Sequence, residues 1–253
     1  MTSAAVDRIA GLLVEARRAQ RPLAIPPDAV LATAEDAYRV QDETFALLWP
    51  GKWPGAWKAG GPSDKVEPTA APIAAANVHL SPARLAAAGM NMIGVEAEIA
   101  YRVGHDIIGA ERAIPERELA ASVIEALVTI EICDTRLAGW QNTPPLWKLA
   151  DFQNNCALVV GSGTRAWRRI DFRAQPVELW IGRRSFAARG AHPWGDPFRL
   201  LPWTAAHCAR RGRPLRAGDL VTTGSWTGLE LARPGEEILA RFPGIGEASA
   251  RIE

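Results

Sequence analysis

Beyond Gly51 the chain is cut by frequent glycine and proline into short β-forming runs, and this punctuation constrains the fold more than any other feature. The best runs are 94–103, 128–133, 157–160, 177–181, 220–223 and 237–242. Helical periodicity is confined to a few peripheral stretches, so the sequence predicts an α+β protein rather than an alternating α/β one. One helix is expected over 3–20, capped by Ser3, with Val6, Ile9, Leu12, Leu13 and Ala16 on one face. Pro22, Pro26 and Pro27 then break the chain. A second helix is expected from Thr33, which forms a capping box with Asp36, and it ends before Pro50-Gly51. These helices define an N-terminal helical region, 1–50, ahead of a main domain, 51–253. Further helices are expected from Pro115 to about residue 126 and over 197–211, whereas the Ala-rich stretch 69–76, interrupted by Pro72, reads as a loop.

Composition removes several function classes. The 253 residues carry 29 Lys+Arg against 28 Asp+Glu, a net charge of +1, which gives no surplus for neutralising nucleic-acid phosphates. The pairs Arg168-Arg169, Arg183-Arg184 and Arg210-Arg211 are dispersed and read as solvated surface. No apolar run reaches the roughly 18 residues of a membrane span. The first residues lack the basic-then-apolar order of a signal peptide, so a cytoplasmic location is expected. Cys133, Cys156 and Cys208 are too few and too scattered for a disulfide framework or a zinc site.

Chemistry concentrates on acidic residues inside β runs. In Gly94-Val95-Glu96-Ala97-Glu98-Ile99 the period of two puts Glu96 and Glu98 on one face and the apolar residues on the other. Alone, this pattern equally describes a half-buried strand with a solvated acidic face. In Val128-Thr129-Ile130-Glu131-Ile132, however, Glu131 stands alone in an apolar run and needs a partner. Three carboxylates with no neighbouring histidine or cysteine expected make a hard oxygen site, suited to Mg²⁺ or Mn²⁺ rather than Zn²⁺. The segment Gly224-Ser225-Trp226-Thr227-Gly228 follows a β run; its backbone amides suit an anion, although its composition also suits an ordinary β-turn.

The order Gly-x-Glu-x-Glu-Ile-Ala-Tyr, then Ile-Glu-Ile-x-Asp-x-Arg, then Ala-Asp, then Gly-Asp-Leu-Val-Thr-Thr-Gly-Ser-x-Thr-Gly and Pro-Gly-Glu resembles the fumarylacetoacetate hydrolase superfamily. Within it the chain looks like the 2-keto-4-pentenoate hydratase and 4-oxalocrotonate decarboxylase branch, as do Ala37-Tyr38-Arg39-Val40-Gln41 and Trp57-Lys58-Ala59-Gly60. The resemblance implies a mixed β-sheet rolled into a β-sandwich-like catalytic domain, a homo-oligomer, and a small-molecule 2-oxo acid substrate. It implies metal ligation by Glu96, Glu98 and Glu131, a catalytic lysine at Lys58, a supporting role for Asp151, and substrate contacts at Arg136, Ser225 and Thr227. A 2-oxo acid chelates a divalent ion through its carboxylate and carbonyl oxygens, and the resulting enolate serves hydration or decarboxylation. Lys58 would supply positive charge, or shuttle a proton if burial lowered its pKa.

Three departures from the branch stand out. Ala150-Asp151 is followed by Phe152 where an asparagine is usual, the branch's loop carboxylate between Lys58 and Gly94 has no match because Asp64 and Glu67 sit too close to Lys58, and Trp226 adds bulk to the Gly-rich loop. His79 is a candidate for the missing acid–base group, or a merely solvated histidine. Phe152 and Trp226 suggest a narrowed, apolar pocket. The four histidines all follow Lys58, so the early His–Glu pair of the superfamily's hydrolases is lacking. A non-catalytic, metal-binding scaffold is the alternative outside enzymology.

Overall fold

The computed structural model describes residues 1–109 and 114–253. Helix α1, Ser3–Ala19, is capped not by Ser3 but by Thr2, whose hydroxyl accepts from Ala5 N at 3.3 Å. Helix α2, Ala34–Leu48, carries the expected reciprocal box: Thr33 Oγ1 accepts from Asp36 N, and Asp36 Oδ2 accepts from Thr33 N. Helix α1 packs on α2, and α2 on the short helix α4, Pro145–Ala150; Ile9, Leu13, Tyr38, Val40, Leu137 and Trp147 share one apolar cluster. Gln41 ties α2 down by donating to Leu149 O at 2.7 Å.

The β runs build two sheets. The larger has the order β2-β1-β10-β5-β6-β7-β3, with β11 also paired to β5. Its strands are β1 Pro54–Gly60, β2 Thr69–Ala74, β3 Val78–Leu80, β5 Gly94–Val103, β6 Val123–Cys133, β7 Asn155–Thr164, β10 Leu220–Thr222 and β11 Glu230–Leu231. The smaller has the order β4-β13-β12-β8-β9, from β4 Ala83–Leu85, β8 Pro176–Ile181, β9 Arg184–Arg189, β12 Glu237–Phe242 and β13 Gly246–Ile252. Helices α3, Glu116–Ser122, and α5, Leu201–Arg210, lie outside the sheets.

Two expectations are corrected. The expected helix to about residue 126 stops at Ser122, because β-branched Val123 and Ile124 begin a strand that pairs with both β5 and β7. Residues 69–74 are not a loop but strand β2, antiparallel to β1. Pro72 is tolerated there because β2 is the last strand at that side of the sheet, where its missing N–H costs no ladder bond. The expected helix over 197–211 opens with a 3₁₀ turn, Pro197–Leu200, before α5.

Each face of the larger sheet has one job. Val95, Ala97, Ile99, Tyr101, Ile130, Ile132 and Val159 point one way and share an apolar core with Leu179, Ile181, Ile238, Ala240 and Phe242 of the smaller sheet. Burial of each large aliphatic side chain here contributes about 1.5–3 kcal/mol. The alternate residues point to the other face, where Ala56, Ile73, Leu127, Leu158, Val160 and Leu220 pack on one another. Strand β2 also touches β7, so the sheet is curled and this second face is concave. Among the described residues, no helix is long and apolar enough to cross a membrane.

Candidate active site

The register of the curled sheet assembles the acidic residues on its concave face. Strands β5 and β6 pair with Glu96 opposite Glu131 and Glu98 opposite Thr129. Lys58 pairs with Thr222, and Thr222 with Ala100, so their side chains share that face. Lys58 Nζ donates to Glu131 Oε1 at 2.7 Å and to Gln153 O at 3.2 Å. Asn155 Nδ2 donates to the same Glu131 oxygen at 2.9 Å. Glu98 Oε2 accepts from the Thr222 hydroxyl and, at 3.2 Å, from Gly224 N. Cys133 Sγ donates to Glu96 Oε2 at 3.4 Å. Glu131 thus has the partner that its apolar strand required.

The electrostatics show a shortage of positive charge. Burial raises the Glu98 carboxyl well above its usual range, and the negative charges of Glu131 and Glu96 push it further. Burial likewise raises Glu96, with Lys58 opposing. For Lys58, burial pulls downward, but Glu131, Cys133, Glu96 and Glu98 outweigh it and the ammonium is stabilised. Before any cation binds, these neighbours favour the protonated amine, opposing the expectation that burial lowers the Lys58 pKa. Among the described residues, Glu98 Oε1 and Glu131 Oε2 are buried without a hydrogen-bond partner. Such oxygens are costly unless a cation satisfies them. Three adjacent carboxylates facing one ammonium, with two free buried oxygens, fit a divalent ion held by oxygen donors.

The other candidates divide between nearby and remote positions. Asp151 and Arg136 are buried together and bind each other, through Nε to Oδ1 at 2.6 Å and Arg136 N to Oδ2 at 3.0 Å. Arg136 Nη2 also donates to Asp151 O at 3.1 Å while Nη1 faces Asp134 Oδ2 at 3.9 Å, and the pair fastens the start of the segment 151–155. Phe152, Gln153 and Asn154 then adopt successive positive φ values of 52°, 53° and 62°. Left-handed non-glycine residues cost about 1–3 kcal/mol each, and here they aim Gln153 O at Lys58. Ser225 and Thr227 hydroxyls both turn back to Gly228 O, so they brace their own loop. The anion-facing amide expected of this loop is represented by Gly224 N, which meets Glu98.

His79 is not brought to the cluster. It pairs with Val159, which pairs with Ile130, and this row lies on the face opposite Glu131. The narrowed apolar pocket is also corrected. Trp226 is buried between the sheets against Phe172, Phe242 and His192, and Phe152 packs on Phe45 and Trp49. Neither residue lies on a strand, and the packing of their loops carries both rings into apolar clusters.

Sequence reasoning missed Asn155, Thr222, Cys133 and His192. His192 Nδ1 accepts from Trp194 N, which leaves Nε2–H to donate to Thr223 O at 2.7 Å beside the Glu98 loop. Burial pulls its pKa down to about 4, with the bond to Thr223 opposing. For Thr222 the signal was present, as alternation from Leu220 places it on the same face as Glu98. For Asn155 and His192 no local signal existed.

Residues 61–253 match the family model described as the fumarylacetoacetate (FAA) hydrolase C-terminal domain, and the chain belongs to this family. Within the family its relatives fall in the hydratase and decarboxylase branch. It is 30% identical to "2-keto-4-pentenoate hydratase 2" of Dechloromonas aromatica (strain RCB), over 97% of each chain. It is 28% identical to "2-keto-4-pentenoate hydratase 1" of the same organism, over 87% of this chain and 86% of that one. Against "2-keto-4-pentenoate hydratase" of Paraburkholderia xenovorans (strain LB400), the match spans 63% of this chain and 58% of the relative. The fold matches that of the 4-oxalocrotonate decarboxylase from Pseudomonas putida G7, complexed with magnesium and adipate, with a TM-score of 0.88. That match covers 100% of this chain and 99% of the other at 22% identity.

Proposed function

We propose that the chain is a metal-dependent lyase of 2-oxo acids, and that its reaction is hydration of a 2-keto-4-pentenoate-type substrate. The observation that carries this reading is the cluster of half-buried Glu96 with buried Glu98 and Glu131, in which, among the described residues, one oxygen each of Glu98 and Glu131 lacks a hydrogen-bond partner and the Lys58 ammonium donates to Glu131. The 2-keto-4-pentenoate hydratase of D. aromatica, similar over nearly the whole chain, supports the substrate class.

In this reading Glu96, Glu98 and Glu131 hold Mg²⁺ or Mn²⁺, which supplies Lewis acidity toward the adjacent carboxylate and carbonyl oxygens of the substrate. The chain's own groups do the rest. Lys58, held by Glu131 and Gln153 O, presents positive charge where enolate charge develops. Gln153 O and Glu131 Oε1 fix the direction of its N–H bonds. Asn155 orients Glu131, while Thr222 and Gly224 N hold one oxygen of Glu98 and leave the other free. The packed aliphatic floor of Leu127, Leu158 and Val160 keeps bulk water from beneath the site. Arg136 and Asp151 act by holding the 151–155 turn. The same reading describes the two sheets as a rolled β-sandwich, divides the chain into a helical region 1–50 and a catalytic domain 51–253, and makes the protein a cytoplasmic homo-oligomer.

The test is an ultraviolet assay with 2-hydroxypenta-2,4-dienoate in Mg²⁺, in Mn²⁺ and in chelator. Metal-dependent loss of the dienol absorbance, with a 4-hydroxy-2-oxo acid as product, is the expected result. Carbon dioxide release from a 4-oxalocrotonate-type substrate without hydration would assign decarboxylation instead. Metal binding without turnover of either substrate would assign a scaffold role.

A further inference from the structure

We propose that Cys133 is a direct ligand of the divalent ion and raises this site's affinity for thiophilic metals relative to a purely oxygen set. This inference rests on the reading of the acidic cluster as a metal site, and it adds a soft donor to that oxygen set. Cys133 ends strand β6 two residues after Glu131, so the strand period puts both side chains on the concave face. It is 2% exposed and pairs with Gly94, whose missing side chain leaves the thiol clear of steric cover from β5. An added Cβ on Gly94 would lie 3.0 Å from the Cys133 Cβ, so glycine is what admits the thiol at this register.

Donor atoms of Glu96, Glu131 and Cys133 lie within 4.8 Å of one another. Opposite donors on one ion stand roughly 4–4.6 Å apart when bonds to oxygen and sulfur are about 2.0–2.3 Å. The observed triangle therefore needs only side-chain adjustments to close on an ion. An independent observation points the same way: Glu131 is fully buried, and its Oε2 lacks a partner among the described residues. On coordination the thiol proton leaves to solvent, and its present acceptor, Glu96, turns its oxygen to the same ion. A thiolate ranks Zn²⁺, Cd²⁺ and Co²⁺ above Mg²⁺, because soft sulfur gains little from a hard ion. A purely oxygen set would rank them with far less contrast.

The experiment is a Co²⁺ titration of the metal-free full-length protein followed by absorption spectroscopy. The expected spectrum has both ligand-field bands and an intense near-ultraviolet thiolate-to-cobalt charge-transfer band. In Cys133→Ser the charge-transfer band disappears while the ligand-field bands remain. Indicator competition should show Cd²⁺ affinity falling roughly tenfold or more in Cys133→Ser, with Mg²⁺ affinity changing less than about threefold. Ligand-field bands without charge transfer in the wild type would overturn the proposal and leave the oxygen-donor metal site standing. No binding of Co²⁺, Mn²⁺ or Mg²⁺ would overturn both. A charge-transfer band that persists in Cys133→Ser would come from Cys156 or Cys208 and would also overturn it.

Discussion

Replacing Lys58 by Met tests the electrostatic logic of the site. Methionine keeps most of the apolar stem and deletes the ammonium. Lys58 Nζ lies 2.7 Å from Glu131 Oε1, and Glu131 is fully buried. At an effective dielectric of about 20 the gross attraction at this separation is roughly 6 kcal/mol. Removing one partner of a buried pair costs about 3–5 kcal/mol, since the other charge remains. Lys58→Met should therefore lose about 3–5 kcal/mol at pH 7 in chelator, or roughly 6–20 °C in Tm for a chain of this size. The assay is urea unfolding at one fixed protomer concentration, with and without Mg²⁺. Glu131→Gln in the Lys58→Met background should recover part of the loss, because it removes the stranded charge. Saturating Mg²⁺ at about 100 times its Kd should restore about 2.7 kcal/mol. A loss below about 1 kcal/mol in chelator, with no recovery in the double variant, would refute the reasoning.

Other outcomes follow from the same structure. Glu96 and Glu98 have folded pKa values raised above the unfolded ones, chiefly by burial. Their contribution is present at acid pH, below the unfolded value, and is lost as pH rises through the folded values; thermal unfolding in chelator should show stability falling with pH, and Mg²⁺ should stabilise more at pH 8 than at pH 5. His192 has its pKa lowered to about 4 by burial, so its contribution is complete above the ordinary histidine value of 6.5 and is lost as pH falls toward 4. Proton NMR of the imidazole should show no titration between pH 5 and 8. Asp151→Asn leaves the buried Arg136 with only the longer contact to Asp134, at 3.9 Å, and should cost about 1–3 kcal/mol in denaturant unfolding. A Cβ at Gly161 would meet Glu247 O at 2.1 Å, so Gly161→Ala should push the two sheets apart and cost about 1–3 kcal/mol, seen as a lower urea midpoint.

The relation between sequence and structure differs from residue to residue, for a physical reason. Alternation along a strand is local, so the sequence by itself determined that Glu96 and Glu98 share a face and that Glu131 stands apart from Ile130 and Ile132. It likewise determined the capping box of α2 and the strand 237–242, because both are set by neighbours within a few residues. Separated motifs in a fixed order carried the family. Only the tertiary structure decided which strands become neighbours. That choice placed Lys58, 73 positions from Glu131, on its carboxylate, and joined Asn155 and Thr222 to the same cluster. It sent Trp226 and Phe152 into the core, turned His79 to the wrong face, and made a strand of residues 69–74 by pairing them with β1. Hydrogen-bond register and the curl of a sheet depend on contacts between distant segments, and no window of sequence contains them.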